Sequence, residues 1–197
     1  VPLEDLESRS IDALYGMVVT HWNVIFERQV DECKIRVFNP TEKEDGWQTG
    51  QTVIEVNHLD MPFLVDSMRM ELNRMGYSTN LIIHLGGMQV RRDKKGHITE
   101  VLPFDDVAED VIVEAPIYLE IDHEADSAKL KAIEENLHEI LKDVSITITD
   151  WEIMRTRVYD AIAELDKEEL PLDHDEIDEA KAFLHWLVSD HFTFLGY

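Results

Sequence analysis

Basic residues are scarce in this 197-residue sequence. It contains 18 Lys and Arg against 42 Asp and Glu, which gives a formal net charge of −24. Proteins that coat nucleic acids or lie on anionic membranes use clustered cations to bind phosphate, so this charge argues against both classes. The sequence is nevertheless 44% hydrophobic and contains four Trp, which is enough for a folded core in one or two domains.

Cysteine and long apolar runs are also rare. Cys33 is the single cysteine, which excludes an intramolecular disulfide and fits a reducing cytosol. No run approaches the roughly 18 apolar residues of a membrane span, and the N-terminus has no signal-peptide pattern. We therefore predict a cytoplasmic protein. The missing initial Met and the apolar, strand-like run 191–197 predict a piece of a longer protein.

Motifs that bind nucleotides or carry catalysis are absent from the sequence. The eight glycines form neither GxGxxG nor GxxxxGK, and no GxSxG or HExxH occurs. Two acidic groups with a histidine, 122–126 and 173–176, match no common metal-ligand spacing and are interpreted as solvated. The basic cluster 91–95 is interpreted as a solvated hairpin turn, and His84 as a core histidine. We assign no catalytic, cofactor-binding or metal-binding residue within this sequence.

Hydrophobic spacing predicts an α+β fold. A helix over 3–30 precedes a series of elements, which are strand 34–38, strand 52–57, helix 64–75, strand 78–85, hairpin 88–102, strand 115–122, a helix from 127 and strand 144–149. From residue 52 this order is a ferredoxin-like βαββαβ arrangement with both helices on one face of the sheet. Two helices follow, over 151–166 and 173–190.

Three parts of the chain are predicted from this order. Residues 1–50 form an N-terminal helical segment with a lead-in strand, and 51–150 form the βαββαβ domain. Residues 151–197 form a helical linker and the start of a next domain.

The loop after the strand at 52–57 is the most specific feature of the sequence. It reads Asn57 to Ser67, NHLDMPFLVDS, and it is accompanied by five further strings, RVFNP at 36–40, GWQ at 46–48, TVIEV at 52–56, AFLHWL at 182–187 and DHFTFLGY at 190–197. Together these strings resemble the N-terminal region of the large NAD-specific glutamate dehydrogenases of bacteria. The resemblance extends over residues 9–197.

That family implies both a fold and a function. Its N-terminal region is similar to an ACT domain, a regulatory βαββαβ module that commonly binds amino acids. The resemblance implies a parent enzyme that oxidises L-glutamate to 2-oxoglutarate and ammonia with NAD. The catalytic and NAD-binding domain would lie beyond Tyr197. Other domains of the same chain, further copies in a homo-oligomer and an amino-acid effector are the implied partners.

The resemblance also implies an effector site in the loop. ACT modules often carry Asp-x-Pro-Gly-x-Leu at this point, and here Phe63 stands in place of the glycine. The candidate effector-binding residues are Asn57, Asp60, Met61, Pro62, Phe63 and Leu64. A bulky phenylalanine is expected to fill the space that glycine leaves for a ligand. The alternative is structural, with Asp60 capping the helix and Phe63 anchoring it to the core.

Three functions follow from these observations. The first is a non-catalytic regulatory or oligomerisation domain of an NAD-dependent glutamate dehydrogenase. The alternative is a pure interaction module without effector binding, which pairs through a sheet edge or an apolar helix face. The third, a small independent acidic enzyme, is disfavoured by the missing motifs.

Overall fold

The structure is a computed structural model that describes residues 9–84, 86–103, 110–165, 171, 173–192 and 194. Its elements in chain order are α1 Ile11–Phe26, β1 Lys34–Phe38, β2 Thr52–Leu59, α2 Leu64–Arg74, β3 Thr79–His84, β4 Met88–Arg92, β5 Ile98–Val101, β6 Ile112–Ile121, α3 Ser127–Leu165 and α4 His174–Trp186, followed by a π-helix, Leu187–His191. The chain divides into two compact units, Val1–Leu141 and Lys142–Tyr197.

One antiparallel sheet organises the first unit. Its strands follow the order β1-β2-β6-β4-β5, and β3 also pairs with β6. The central strands β2 and β6 align Val53 with Glu120 and Glu55 with Tyr118. This pairing confirms the predicted α+β, ferredoxin-like fold class, in which the first core strand lies beside the third.

The strand beside the outer edge of β2 differs from the prediction, because β1 occupies the place predicted for strand 144–149. The predicted strand 144–149 is wrong, because these residues lie within the continuous helix α3. The edge of β2 that this strand would occupy is already paired with β1, so the segment has no strand to join. Leu137, Leu141 and Val144 are buried at helical spacing. Extending a helix that already exists costs less than starting a new element, despite the β-branched residues.

One face of the sheet is covered by α2 and α3. Side chains alternate between the two faces of a strand, which places Ile54, Val56 and Leu119 together on this face. All three are fully buried. The inward residues of the two helices are buried as well, namely Leu64, Met68 and Leu72 in α2 and Ile133, Leu137 and Leu141 in α3. This layer is the one that the hydrophobic pattern predicted.

The opposite face is covered by α1, which makes the sheet a three-layer structure. Met17 of α1 packs in one cluster with Trp47, Val53, Leu81 and Tyr118. Trp47 lies so close to Gly16 that a β-carbon there would overlap its side chain. Gly16 weakens the helix intrinsically but admits the indole, which explains its presence in the middle of α1. Both faces of β2 and β6 are therefore buried, although the sequence predicted one buried face for the strand at 115–122.

Other boundaries shift by a few residues. The helix predicted over 3–30 spans Ile11–Phe26, since Ser10 accepts a hydrogen bond from the Ala13 N–H and begins it. Residues 1–8 lie outside the described part, as do most of 193–197. The strand predicted from 115 begins at Ile112. Within the described residues, no helix combines the length and apolarity needed to cross a membrane.

Candidate functional site

The predicted effector loop joins β2 to α2 on the surface of the first unit. Phe63 is the N-cap residue of α2 and has the left-handed backbone angle φ 72°. A side chain disfavours this conformation, and glycine adopts it readily. The backbone at Phe63 therefore has a geometry suited to glycine, which is the residue that ACT modules often carry at this position. Backbone strain of this kind supports a functional hypothesis for the loop.

The structural alternative for this loop is wrong in both parts. Phe63 is 62% exposed and so does not anchor α2 to the core. Asp60 does not cap the helix, because the N-cap residue is Phe63 and no side chain caps the first turn. Leu64, which follows directly, is the residue that enters the core. Among the described residues, no side-chain acceptor caps the first amides of α2, and free amides at a helix N-terminus suit an anion.

A second chain segment contacts the loop at Asp60. The backbone N–H of Asp60 donates a hydrogen bond to the carbonyl oxygen of Val113, with 2.9 Å between the nitrogen and the oxygen. A β-carbon on Gly87 would lie 2.6 Å from the Asp60 Oδ2 atom, so only glycine permits this close approach. The exposed carboxylate thus lies against the chain between β3 and β4. Asp60, Met61, Pro62, Phe63 and Leu64 form one continuous loop surface, except for the inward side chain of Leu64.

Asn57 is separated from this loop surface. It is fully buried on the α1 side of β2, and its Nδ2 atom donates to Glu114 Oε2 at 2.8 Å. Glu114 also accepts hydrogen bonds from Arg28 at 3.0 Å and from Arg92 at 2.6 Å. Burial alone would raise the pKa of Glu114, but these three donors outweigh it and hold the pKa below its usual value. Asn57 therefore belongs to a buried ionic cluster.

The ionic cluster attaches α1 to the sheet. Arg92 donates to the carbonyls of Ile25 and Phe26 as well as to Glu114. These carbonyls belong to the last turn of α1, where a cation also opposes the negative end of the helix dipole. Arg28, in turn, donates to the carbonyls of Val30 and Glu32 after the helix. The cluster thus satisfies the C-terminal end of α1.

This role corrects one sequence interpretation. Residues 91–95 were expected to be a solvated turn, and Lys94 and Lys95 are indeed exposed at the hairpin tip. The side chain of Arg92, however, is only 3% exposed. Arg92 lies two residues after the apolar Val90 in β4, so the two side chains point to the same face of the sheet. This spacing was the signal in the sequence that Arg92 points inward. Its acidic partner on β6 could not be recognised without the sheet register.

A second polar group lies under α1 near its middle. Glu55 is fully buried, its nearest cation is Arg36 at 3.5 Å, and neither carboxylate oxygen has a hydrogen-bond partner among the described residues. Burial raises the pKa of Glu55 to about 7. His21 of α1 lies edge-on to Tyr118, with ring centroids 5.9 Å apart, and burial lowers its pKa to about 4. Burial therefore shifts the pKa of each group in the direction that favours its neutral form.

A polar cavity of about 510 Å³ lies at the N-terminal end of α1. Arg9 binds Glu120 there through two hydrogen bonds of 2.6 and 2.7 Å. Asp12 and Glu42 add two carboxylates to the lining, so the cavity is acidic overall. An acidic lining favours the ammonium group of a small ligand. Nothing in the sequence predicts this cavity, because its lining residues come from four separate segments.

Neither a metal-binding cluster nor a reactive cysteine occurs among the described residues. No group of three or more His, Cys, Asp or Glu side chains among the described residues could hold a metal ion. Burial raises the pKa of the Cys33 thiol to about 12, which makes the nucleophilic thiolate rare at neutral pH. His123 and His174, from the two acidic groups, are exposed, in agreement with their interpretation as solvated residues.

Comparison with known proteins identifies the family. The family model "Glutamate dehydrogenase, ACT1 domain" matches residues 1–137. The chain belongs to the glutamate dehydrogenase ACT1 domain family. It is 39% identical over its whole length to an NAD-specific glutamate dehydrogenase of Pseudomonas aeruginosa and 41% identical to that of Halomonas elongata. It spans about 12% of the length of each relative. The ACT1 match covers α1, the entire sheet and the first turns of α3.

Proposed function

We propose that this ACT1 chain is a non-catalytic regulatory and assembly domain of a cytoplasmic NAD-dependent glutamate dehydrogenase. In this proposal the parent converts L-glutamate and NAD to 2-oxoglutarate and ammonia, and NAD binds in another part of it. The division into 1–50, 51–150 and 151–197 stays a prediction, and the effector loop lies in its middle part. The observation that supports the regulatory half is the surface loop 60–63, whose backbone at Phe63 has the left-handed conformation that favours glycine.

The loop offers complementary groups for an α-amino acid. The uncapped amides at the start of α2 suit a carboxylate, since a helix N-terminus favours negative charge. The exposed Asp60 carboxylate suits an ammonium group. The exposed Phe63 ring can cover an apolar side chain. Asn57 does not contribute to this surface, because its side chain lies in the buried ionic cluster.

The test is a thermal-shift and calorimetric screen of the 197-residue chain against the twenty amino acids. One or a few should raise the melting temperature, and Asp60→Asn should abolish that shift while leaving the unliganded melting temperature unchanged. Asp31→Asn, another exposed carboxylate away from the loop, is the matched control. A shift that survives Asp60→Asn but is lost in Asp12→Asn would move the site to the cavity at the N-terminal end of α1.

Coupling to catalysis needs the complete parent enzyme. Glutamate-dependent reduction of NAD should be measured with and without the amino acid found in the screen, in wild type and in Asp60→Asn. A change in rate that disappears in the variant would support regulation. No heat and no thermal shift with any amino acid would leave the alternative, a pure interaction module, which the exposed face of α1 favours.

A further inference from the structure

The helix α1 is apolar on two opposite sides. Its inner side, which includes Gly16, Met17 and Thr20, is buried against the sheet. The outer side presents a continuous stripe of six apolar side chains at helical spacing, and we call it the α1 stripe: Ile11, Tyr15, Val18, Val19, Trp22 and Phe26. At 100° per residue the stripe lies opposite the sheet-facing side. A helix that is apolar all round is normally buried on all sides.

Exposure is highest in the first half of the stripe, whereas Val19, Trp22 and Phe26 are 38%, 41% and 40% exposed. Ile11 is 84% exposed, Tyr15 72% and Val18 62%. Contiguous apolar surface of this kind commonly marks a protein interface. Asp12 is the one carboxylate in α1, and it lies at the margin of the stripe. A chain with a formal charge of −24 thus keeps this face free of formal charge.

The order of residues in the stripe suits a second copy of the same helix. The stripe is symmetric about the bond between Val18 and Val19. An antiparallel copy of the same helix places Ile11 opposite Phe26, Tyr15 opposite Trp22, and Val18 opposite Val19 of the partner copy. Each pair then joins a residue from one side of the centre to its equivalent on the other, as a two-fold interface requires.

We propose that the α1 stripe is the contact between two copies of this chain, with their α1 helices antiparallel. The proposal deepens the assembly half of the proposed function and rests on it. The six side chains expose on the order of 700 Å² per copy, slightly below the ~800 Å² per partner of a standard stable interface. The isolated chain should therefore dimerise weakly. Added salt should strengthen the dimer, since salt screens the repulsion between two acidic copies.

The first experiment measures the oligomeric state of the 197-residue chain by sedimentation velocity over a wide concentration range. Wild type should show a concentration-dependent dimer. Val18→Asp should raise the dissociation constant about tenfold or more, because it buries an unpaired charge at the centre of the interface. Val30→Asp is the matched control, since Val30 is 60% exposed but lies outside α1, and it should leave the dimer unchanged. Circular dichroism checks that both variants fold.

The second experiment tests the antiparallel register by cross-linking single cysteines in a Cys33→Ala background. Equivalent residues at position 18 would lie about 1.5 Å apart along the helix axis, and those at position 11 about 22 Å apart, at 1.5 Å per residue. Val18→Cys should therefore cross-link with a short bis-maleimide, and Ile11→Cys alone should not. A mixture of Ile11→Cys and Phe26→Cys should cross-link.

Each outcome has a defined meaning. A strict monomer at all concentrations and salt levels would overturn the proposal, as would equal cross-linking of Ile11→Cys and Val18→Cys. If an amino acid still raised the melting temperature of such a monomer, the regulatory half of the proposed function would be unaffected. If Val18→Asp left the dissociation constant of the dimer unchanged, the chain would self-associate, but through a surface other than the α1 stripe.

Discussion

The two faces of the sheet are stabilised by different interactions. Towards α2 and α3 the central strands present aliphatic side chains such as Ile54 and Leu119, all fully buried. Towards α1 the same strands present Glu55, Glu114 and Glu120, also buried. The difference follows from strand geometry, because successive side chains point to opposite faces. The layer of α2 and α3 therefore needs only apolar partners, whereas the layer of α1 needs specific charged partners.

Those charged partners come from distant parts of the chain. Arg9 pairs with Glu120 across 111 residues, and Arg28 pairs with Glu114 across 86. A buried ion pair gives less net stability than its short distances suggest, because both charges lose their hydration. What it provides here is a defined position for α1 on the sheet, since Arg92 also binds the last carbonyls of the helix.

The largest expected effect is on the polar face. Glu114→Ala should lower the free energy of unfolding by about 3–5 kcal/mol, because it leaves Arg28 and Arg92 buried without their counter-ion. Urea unfolding measures the change. Glu100→Ala is the control, since its side chain is 55% exposed and its ion pair with Arg91 lies at the surface. A loss below about 1 kcal/mol for Glu114→Ala would contradict the ionic attachment of α1.

A somewhat smaller loss is expected on the apolar face. Leu137→Ala in α3 should cost about 3 kcal/mol, because it removes a fully buried side chain and leaves a cavity. The same urea titration measures it. Met70→Ala, at a side chain that is 72% exposed on α2, should change stability by less than about 0.5 kcal/mol. Equal losses at Leu137 and Met70 would show that α3 does not cover the sheet.

Replacing Glu55 by Gln is expected to stabilise the protein by an amount that depends on pH. Its folded-state pKa of about 7 lies above the usual 4.5, so the folded protein binds more protons than the unfolded one between these values. Its contribution to stability is complete below pH 4.5 and is lost as the pH rises through 7. Glu55→Gln should therefore match wild type near pH 5 and exceed it by about 2 kcal/mol at pH 8.5.

The measurement for Glu55 is the free energy of unfolding as a function of pH. Glu135→Gln, at an exposed carboxylate of α3, should follow the wild-type curve throughout. A Glu55→Gln curve parallel to wild type would mean that the Glu55 carboxylate is stabilised in its charged form. The depressed pKa of His21 acts in both proteins and cancels in the comparison.

The smallest effect is expected at Phe63, outside both layers. Phe63→Gly should stabilise the protein by up to about 1 kcal/mol, because glycine accepts the left-handed backbone without strain. Phe63→Ala retains the β-carbon and should show no such gain. Thermal unfolding of the two variants gives the comparison. Stabilisation by alanine as well as glycine would mean that the exposed ring, and not the backbone, is the source of strain.

Local sequence patterns predicted much of the apolar layer. The spacing of Leu64, Met68 and Leu72 predicted α2, and Gly76 predicted where it ends. The hairpin turn 93–96 was predicted from its residues and is present between β4 and β5. The loop 57–67 carried the family resemblance, which the ACT1 family model confirms. Its effector role stays a prediction.

The sequence alone therefore determined the family, the α+β class and the residues of the apolar face, because these depend on short-range periodicity and local strings. The tertiary structure decided which strand fills the edge beside β2, and so turned the β-branched segment 144–149 into helix. It also decided that Arg92 and Asn57 join Glu114 under α1, and that the α1 stripe faces outward. These features depend on contacts between residues far apart in the chain, which periodicity does not encode.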